Sequence, residues 1–167
     1  YEVKNFQSSN KETVVHSIPI KSEFNFEGLG YDAKNNRLLL GIKEKSGNKS
    51  KPVYAFDLNT MKMVEDPVYT INFSDPIFSK VADKPSEKML RPSEITINEK
   101  TGNIYILEAV IPKVLIVSPE GELKKLYLLD DNDFLQAEGI TFGDSGEIYI
   151  SNENKRGNGN ILKVELN

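Results

Sequence analysis

Three stretches of this chain repeat one short grammar, and a chain that repeats itself every few tens of residues is confined to folds built from stacked copies of a unit. The first copy reads Phe26-Glu27-Gly28-Leu29-Gly30-Tyr31-Asp32, a turn at Asn35-Asn36, then Arg37-Leu38-Leu39-Leu40-Gly41-Ile42 and Pro52-Val53-Tyr54-Ala55-Phe56-Asp57. The second reads Pro92-Ser93-Glu94-Ile95-Thr96-Ile97, a turn at Thr101-Gly102, then Asn103-Ile104-Tyr105-Ile106-Leu107 and Val114-Leu115-Ile116-Val117. The third reads Ala137-Glu138-Gly139-Ile140-Thr141-Phe142, a turn at Ser145-Gly146, then Glu147-Ile148-Tyr149-Ile150-Ser151 and Ile161-Leu162-Lys163-Val164.

Each copy offers a glutamate, a short apolar strand, a tight turn, a second strand, a loop and a third strand. Glycine or asparagine in the turns supplies the positive φ that two-residue hairpins need. Ile, Val, Leu, Tyr and Phe suit a pleated, half-buried surface. A fourth strand is expected at 61–64 and at 123–129. Four antiparallel strands per unit at this spacing predict an all-β fold, a β-propeller of four-stranded blades. The repeat glutamates Glu94 and Glu138 lie 44 residues apart, which fits one blade of roughly 40–45 residues, whereas Glu27 and Glu94 lie 67 apart. The excess of 23 falls between Asp66 and Leu90, where Asp75-Pro76, Lys84-Pro85 and Arg91-Pro92 punctuate a charged stretch with room for one short helix.

The division that follows is the end of one blade at 1–20, a blade at 24–65, an inserted loop at 66–90, a blade at 91–130 and an incomplete last blade at 134–167. About three blades do not close a ring. The chain therefore reads as the C-terminal part of a larger propeller, with the other blades supplied by the rest of a parent chain or by a partner chain. A start at Tyr1 agrees with a processed chain or a fragment.

Composition narrows the function. A net charge of −4 argues against a nucleic-acid surface. No apolar run is long enough to predict a transmembrane helix. With no cysteine and one histidine, His16, thiolate zinc sites, cysteine nucleophiles and paired-imidazole sites are excluded. His16 itself reads as an ordinary surface residue on an outer strand.

The string Asn25-Phe26-Glu27-Gly28-Leu29-Gly30-Tyr31-Asp32 resembles a motif of the bacterial SdiA-regulated β-propeller proteins. So do Gln136-Ala137-Glu138-Gly139-Ile140-Thr141-Phe142, Gly146-Glu147-Ile148-Tyr149-Ile150-Ser151-Asn152-Glu153 and Lys43-Glu44-Lys45. The likeness extends in general style to NHL and gluconolactonase-like propellers. It implies a roughly six-bladed propeller in an exported protein, periplasmic or at the cell surface and in some members lipid-anchored, with no established activity. The second copy departs from the pattern, since isoleucine follows Glu94 where glycine follows Glu27 and Glu138.

The first strand of a propeller blade lines the central channel, so Glu27, Glu94 and Glu138 are expected near one rim. Glu44, Glu108 and Glu153, with Asn152, form a second set. Three readings stand side by side. The acids hydrogen-bond neighbouring backbone and lock the ring, with Glu44, Glu108 and Asn152 as structural channel-lining groups. Or Glu27, Glu94, Glu138 and Glu153 converge on a hard cation such as Ca²⁺, which takes oxygen ligands in loose geometry. Or two of them serve a metal-assisted lactone hydrolysis. Asp130-Asp131-Asn132-Asp133 lacks the glycine and distal glutamate of a calcium loop, and Arg156 lies in a glycine- and asparagine-rich loop within reach of an anionic ligand. The function expected is binding of a protein, peptide or glycan, and the alternative is a gluconolactonase-like, divalent-metal-dependent hydrolase.

Overall fold

A computed structural model describes residues 1–19, 24–43, 49–153 and 158–166. Among the described residues, fourteen strands form one hairpin and three larger antiparallel sheets. Strands β1 (Glu2–Lys4) and β2 (Glu12–Val14) make the hairpin. The first sheet holds β3 (Phe26–Asp32), β4 (Arg37–Ile42) and β5 (Ser50–Asp57), and its outer position is filled in two pieces, β6 (Lys62–Met63) and β7 (Tyr69–Asn72), both paired with β5. The second sheet runs β8 (Pro92–Ile97), β9 (Ile104–Glu108), β10 (Lys113–Val117), β11 (Leu123–Leu128), and the third β12 (Ala137–Phe142), β13 (Ile148–Asn152), β14 (Asn160–Val164). In each of the three, sequence neighbours are spatial neighbours, the up-and-down order of a propeller blade.

The tight turns between first and second strands place Asn36 (φ 47°), Gly102 (φ 73°) and Gly146 (φ 99°) in the left-handed region, as their residue types predict.

The sheets stack face to face on two apolar cores. Leu39, Val53, Ala55 and Ile71 of the first sheet meet Ile95, Ile104, Ile106, Leu115 and Val117 of the second. Leu107, Val114 and Ile116 of the second meet Ile140 and Ile150 of the third. Strand β10 thus feeds one core with alternate residues and the other with the rest, and all five of its residues are buried. A strand covered on both faces loses the alternating pattern of a half-exposed one, which is why Lys113-Val114-Leu115-Ile116-Val117 reads as a solid apolar run after its lysine.

Glycine sets the spacing of the first interface. A Cβ on Gly30 would lie 2.6 Å from the Ile95 carbonyl oxygen, and one on Gly41 would lie 2.9 Å from Pro92 Cβ. The missing side chains admit Ile95, which is fully buried there. Ile95 is therefore the knob that fills the glycine-lined hole of the preceding sheet.

The stretch expected as an inserted loop at 66–90 is in part ordered structure. It contains β7, then 3₁₀ turns at Pro76–Val81 and Ser86–Lys88. Asp75 caps the first, its Oδ1 accepting from the Ile77 N–H at 2.9 Å, with Pro76 pre-set for the opening turn. Phe78, Val81, Met89 and Leu90 are buried in the core between the first two sheets. His16, expected at the surface, is half-buried: its ring stands edge-on to Phe56 at 5.6 Å and Nε2 lies 3.0 Å from Glu2 Oε2. No described helix is long and apolar enough to cross a membrane.

Candidate functional site

Each innermost strand carries a bulge near its start, and the bulges fix which residues correspond. Phe26, Pro92 and Ala137 pair with Ile42, Glu108 and Asn152. Pairing then skips one residue, Glu27, Ser93 or Glu138, and resumes with Gly28, Glu94 and Gly139 opposite Gly41, Leu107 and Ser151. The counterpart of Glu27 and Glu138 is therefore Ser93. Glu94 stands one place further along, where both sister sheets have glycine.

The two bulge glutamates have matching surroundings. Glu27 Oε2 lies 2.5 Å from Lys43 Nζ, and Oε1 accepts a longer bond from Asn25 Nδ2. Glu138 Oε1 and Glu153 Oε2 both accept from Gln136 Nε2 at 2.8 Å. The Lys43 and Glu153 amides donate to the carbonyls of Asn25 and Gln136, so the two trios occupy the same places in their sheets. In the second sheet Ser93 Oγ lies 2.9 Å from the Ala137 carbonyl oxygen and joins the second inner strand to the third.

Glu108 belongs to another rung. It pairs across the strands with Lys113, Nζ to Oε2 at 2.5 Å, and both side chains are 0% exposed. Burial pushes the Glu108 carboxyl up and the Lys113 ammonium down, each partly offset by the other. The Arg91 amide donates to Glu108 Oε2 at 3.0 Å, and Lys113 Nζ donates to the Ile111 carbonyl at 2.9 Å. In the third sheet the same rung carries Asn152 and Asn160, Nδ2 to Oδ1 at 2.8 Å. Lys51, also buried, donates to the Lys43 carbonyl at 3.2 Å, just past the end of β4. Glu44, Lys45 and Arg156 lie outside the described residues.

Of the acids expected to meet, Glu138 and Glu153 come together through Gln136, while Glu27 is engaged by Lys43. Among the described residues no three acidic or histidine side chains converge.

Glu94 differs from all of these. It is half-buried on the face turned toward the third sheet, and the backbone N–H of Ile95 is its hydrogen-bond partner. Burial raises its carboxyl from the usual 4.5 to about 7. It opens into a cleft of about 1130 Å³ that touches all three inner strands and the far-end turns of the first two sheets. Tyr31, Arg37, Tyr69, Thr96, Lys100 and Thr141 share its walls. Arg37 is held by Asp32 (2.8 Å) and by the Tyr69 hydroxyl (3.2 Å), which lies 3.3 Å from the Pro119 carbonyl oxygen, so one network ties the first sheet to the second. Burial acts to raise Asp32, but its bonds from Asn35 and Arg37 outweigh that and hold it below the usual carboxylate range. Lys100 Nζ donates to the Asp144 carbonyl at 2.9 Å and ties the second sheet to the third.

The SdiA-regulated family model matches residues 3–156 of the 167. The chain belongs to the SdiA-regulated family. No curated protein matches it. Among solved structures it is similar to a luciferin-regenerating enzyme (18% identity, TM-score 0.49, covering 76% of this chain and 37% of that one). It is also similar to a streptogramin B lyase (14%, 0.46, covering 83% and 40%) and to a protein of unknown function from Bacteroides caccae (10%, 0.45, covering 89% and 59%). The chain thus spans less than two thirds of the length of each, and likeness at this level carries no argument about activity.

The residues that sequence reasoning missed are Lys113, Lys51, Gln136 and the cleft-lining Tyr31. Lys113 carried a signal, a lone lysine opening a five-residue strand that is otherwise wholly apolar. Gln136 gave none, because its role depends on two acids 2 and 17 residues away.

Proposed function

We propose that this SdiA-regulated propeller segment is a binding module that takes part of a protein, peptide or glycan into the cleft lined by the three inner strands. One observation carries the reading: a wide cleft whose walls combine tyrosine rings with hydroxyl, carboxyl and amide groups, while Glu27, Glu108, Glu138 and Glu153 are engaged within their own sheets. Such a mixture of apolar faces and a few convergent polar groups is what ligand sites present. In the same proposal the module acts outside the cytoplasm, and further blades from the parent chain or a partner complete the ring.

The test is amide NMR of ¹⁵N-labelled protein titrated with short peptides and with maltotriose. Shifts concentrated at Tyr31, Thr96 and Thr141 support binding in the cleft. Shifts confined to other surfaces, or turnover of gluconolactone in the presence of Ca²⁺, contradict it.

A further inference from the structure

We propose that Glu94 is the recognition group of the cleft and that it takes a cationic nitrogen, an ammonium or guanidinium group of the ligand. The inference rests on the cleft being the binding site and names the ligand chemistry that it selects.

Register supplies the first argument. A glutamate that served only to hold a blade would recur at its own position in the other blades, as the bulge acids Glu27 and Glu138 do. Glu94 does not recur: the corresponding positions are Gly28 and Gly139. A glutamate set where the fold is content with glycine adds nothing that the stacking of the sheets requires.

The second argument is charge. The described acids of the rim have partners: Lys43 for Glu27, Lys113 for Glu108, the Gln136 amide for Glu138 and Glu153. The cations along the cleft that have identified partners are turned elsewhere, Arg37 to Asp32 and Lys100 to the Asp144 carbonyl. Among the described residues no cation meets Glu94, and its raised proton affinity is the expected response of a half-buried carboxyl without one. A ligand that brings its own positive group would remove that imbalance.

The third argument is shape. Tyr31 lies in the same cleft with much of its ring exposed, and an exposed tyrosine face attracts an ammonium or guanidinium. Thr96 and Thr141 add hydroxyls from the neighbouring strands for the neutral part of such a ligand. A free polyamine and a lysine or arginine side chain of a peptide share the required chemistry, and the experiment separates them.

The probes are spermidine, maltotriose and three tripeptides blocked by N-acetylation and C-amidation, Ala-Lys-Ala, Ala-Arg-Ala and the uncharged Ala-Gln-Ala, each titrated into the natural protein and into Glu94→Gln with amide NMR as the readout. Glu12→Gln, on the N-terminal hairpin, serves as a charge-matched control. Cationic probes should shift the Tyr31, Thr96 and Thr141 signals, bind at least tenfold more weakly to Glu94→Gln, and bind Glu12→Gln unchanged. Preference for spermidine identifies a free amine as the ligand, and preference for a tripeptide a basic side chain. Equal binding of Ala-Gln-Ala or maltotriose, unaffected by Glu94→Gln, overturns the cationic assignment and leaves the binding reading in place. Absence of cleft shifts with every probe overturns both. Should Glu94→Gln unfold, the salt dependence of binding to the natural protein decides: affinity for Ala-Lys-Ala must fall between 20 and 500 mM NaCl, and salt-independent binding overturns the assignment.

Discussion

Replacing Lys113 by methionine isolates what the buried Glu108–Lys113 rung contributes. Methionine keeps an unbranched apolar stem of similar reach, so the cavity left behind is small and the change is chiefly the loss of a charge. Both partners are fully buried, and the ammonium lies 2.5 Å from Glu108 Oε2. Removing one member of such a pair leaves an uncompensated buried charge and costs about 3–5 kcal/mol. Glu108 is already pushed up by burial, so in the variant it answers by binding a proton. Its folded pKa then lies above the unfolded value, and stability must fall as pH rises between the two. The loss is accordingly largest above neutrality and shrinks toward pH 4. Adding Glu108→Gln removes the stranded charge, and the double variant should recover to within about 2 kcal/mol of the natural protein. Urea denaturation followed by circular dichroism measures all three proteins, and the fluorescence of the 7 tyrosines provides a second probe in a chain without tryptophan. A single-variant loss below about 1 kcal/mol, or a double variant less stable than the single one, would refute the reasoning.

Three further outcomes follow from the same contacts. Gly30→Ala forces a Cβ against the Ile95 carbonyl oxygen, backbone that cannot swing aside, and should cost about 3 kcal/mol by urea denaturation, the upper end of overpacking penalties. Glu94→Gln should match the natural protein near pH 4 and exceed it at pH 8. With the folded pKa raised from 4.5 to about 7, the natural protein loses stability as pH rises through that interval. Solvent screening at this half-exposed group reduces the difference to about 1–2 kcal/mol. Ser93→Ala removes the hydroxyl that meets the Ala137 carbonyl oxygen between the second and third inner strands and should cost about 1 kcal/mol in thermal unfolding.

The repeats exposed the architecture because turn chemistry and apolar runs are local: Gly102, Gly146 and Asn36 occupy the conformations that their residue types favour. The split outer strand of the first sheet was less legible. Tyr69–Asn72 reaches β5 only after the chain passes through 64–68, and no short window of sequence records that return. Burial of Phe78, Val81, Met89 and Leu90 was masked by the prolines and charges around them. At the site, aligning glutamate with glutamate set Glu94 beside Glu27 and Glu138. The bulges show that Ser93 is the true counterpart, a one-residue difference that sequence similarity does not reveal and strand pairing does. That single shift separates a repeated structural acid from one that does not recur and lines the cleft.

The most direct test of this account is the ¹³C NMR titration of the Glu94 side-chain carboxyl, assigned by comparison with Glu94→Gln. The account predicts a midpoint near 7 that moves to lower pH when a cationic probe occupies the cleft. A midpoint at the ordinary 4.5, unmoved by any probe, would contradict it.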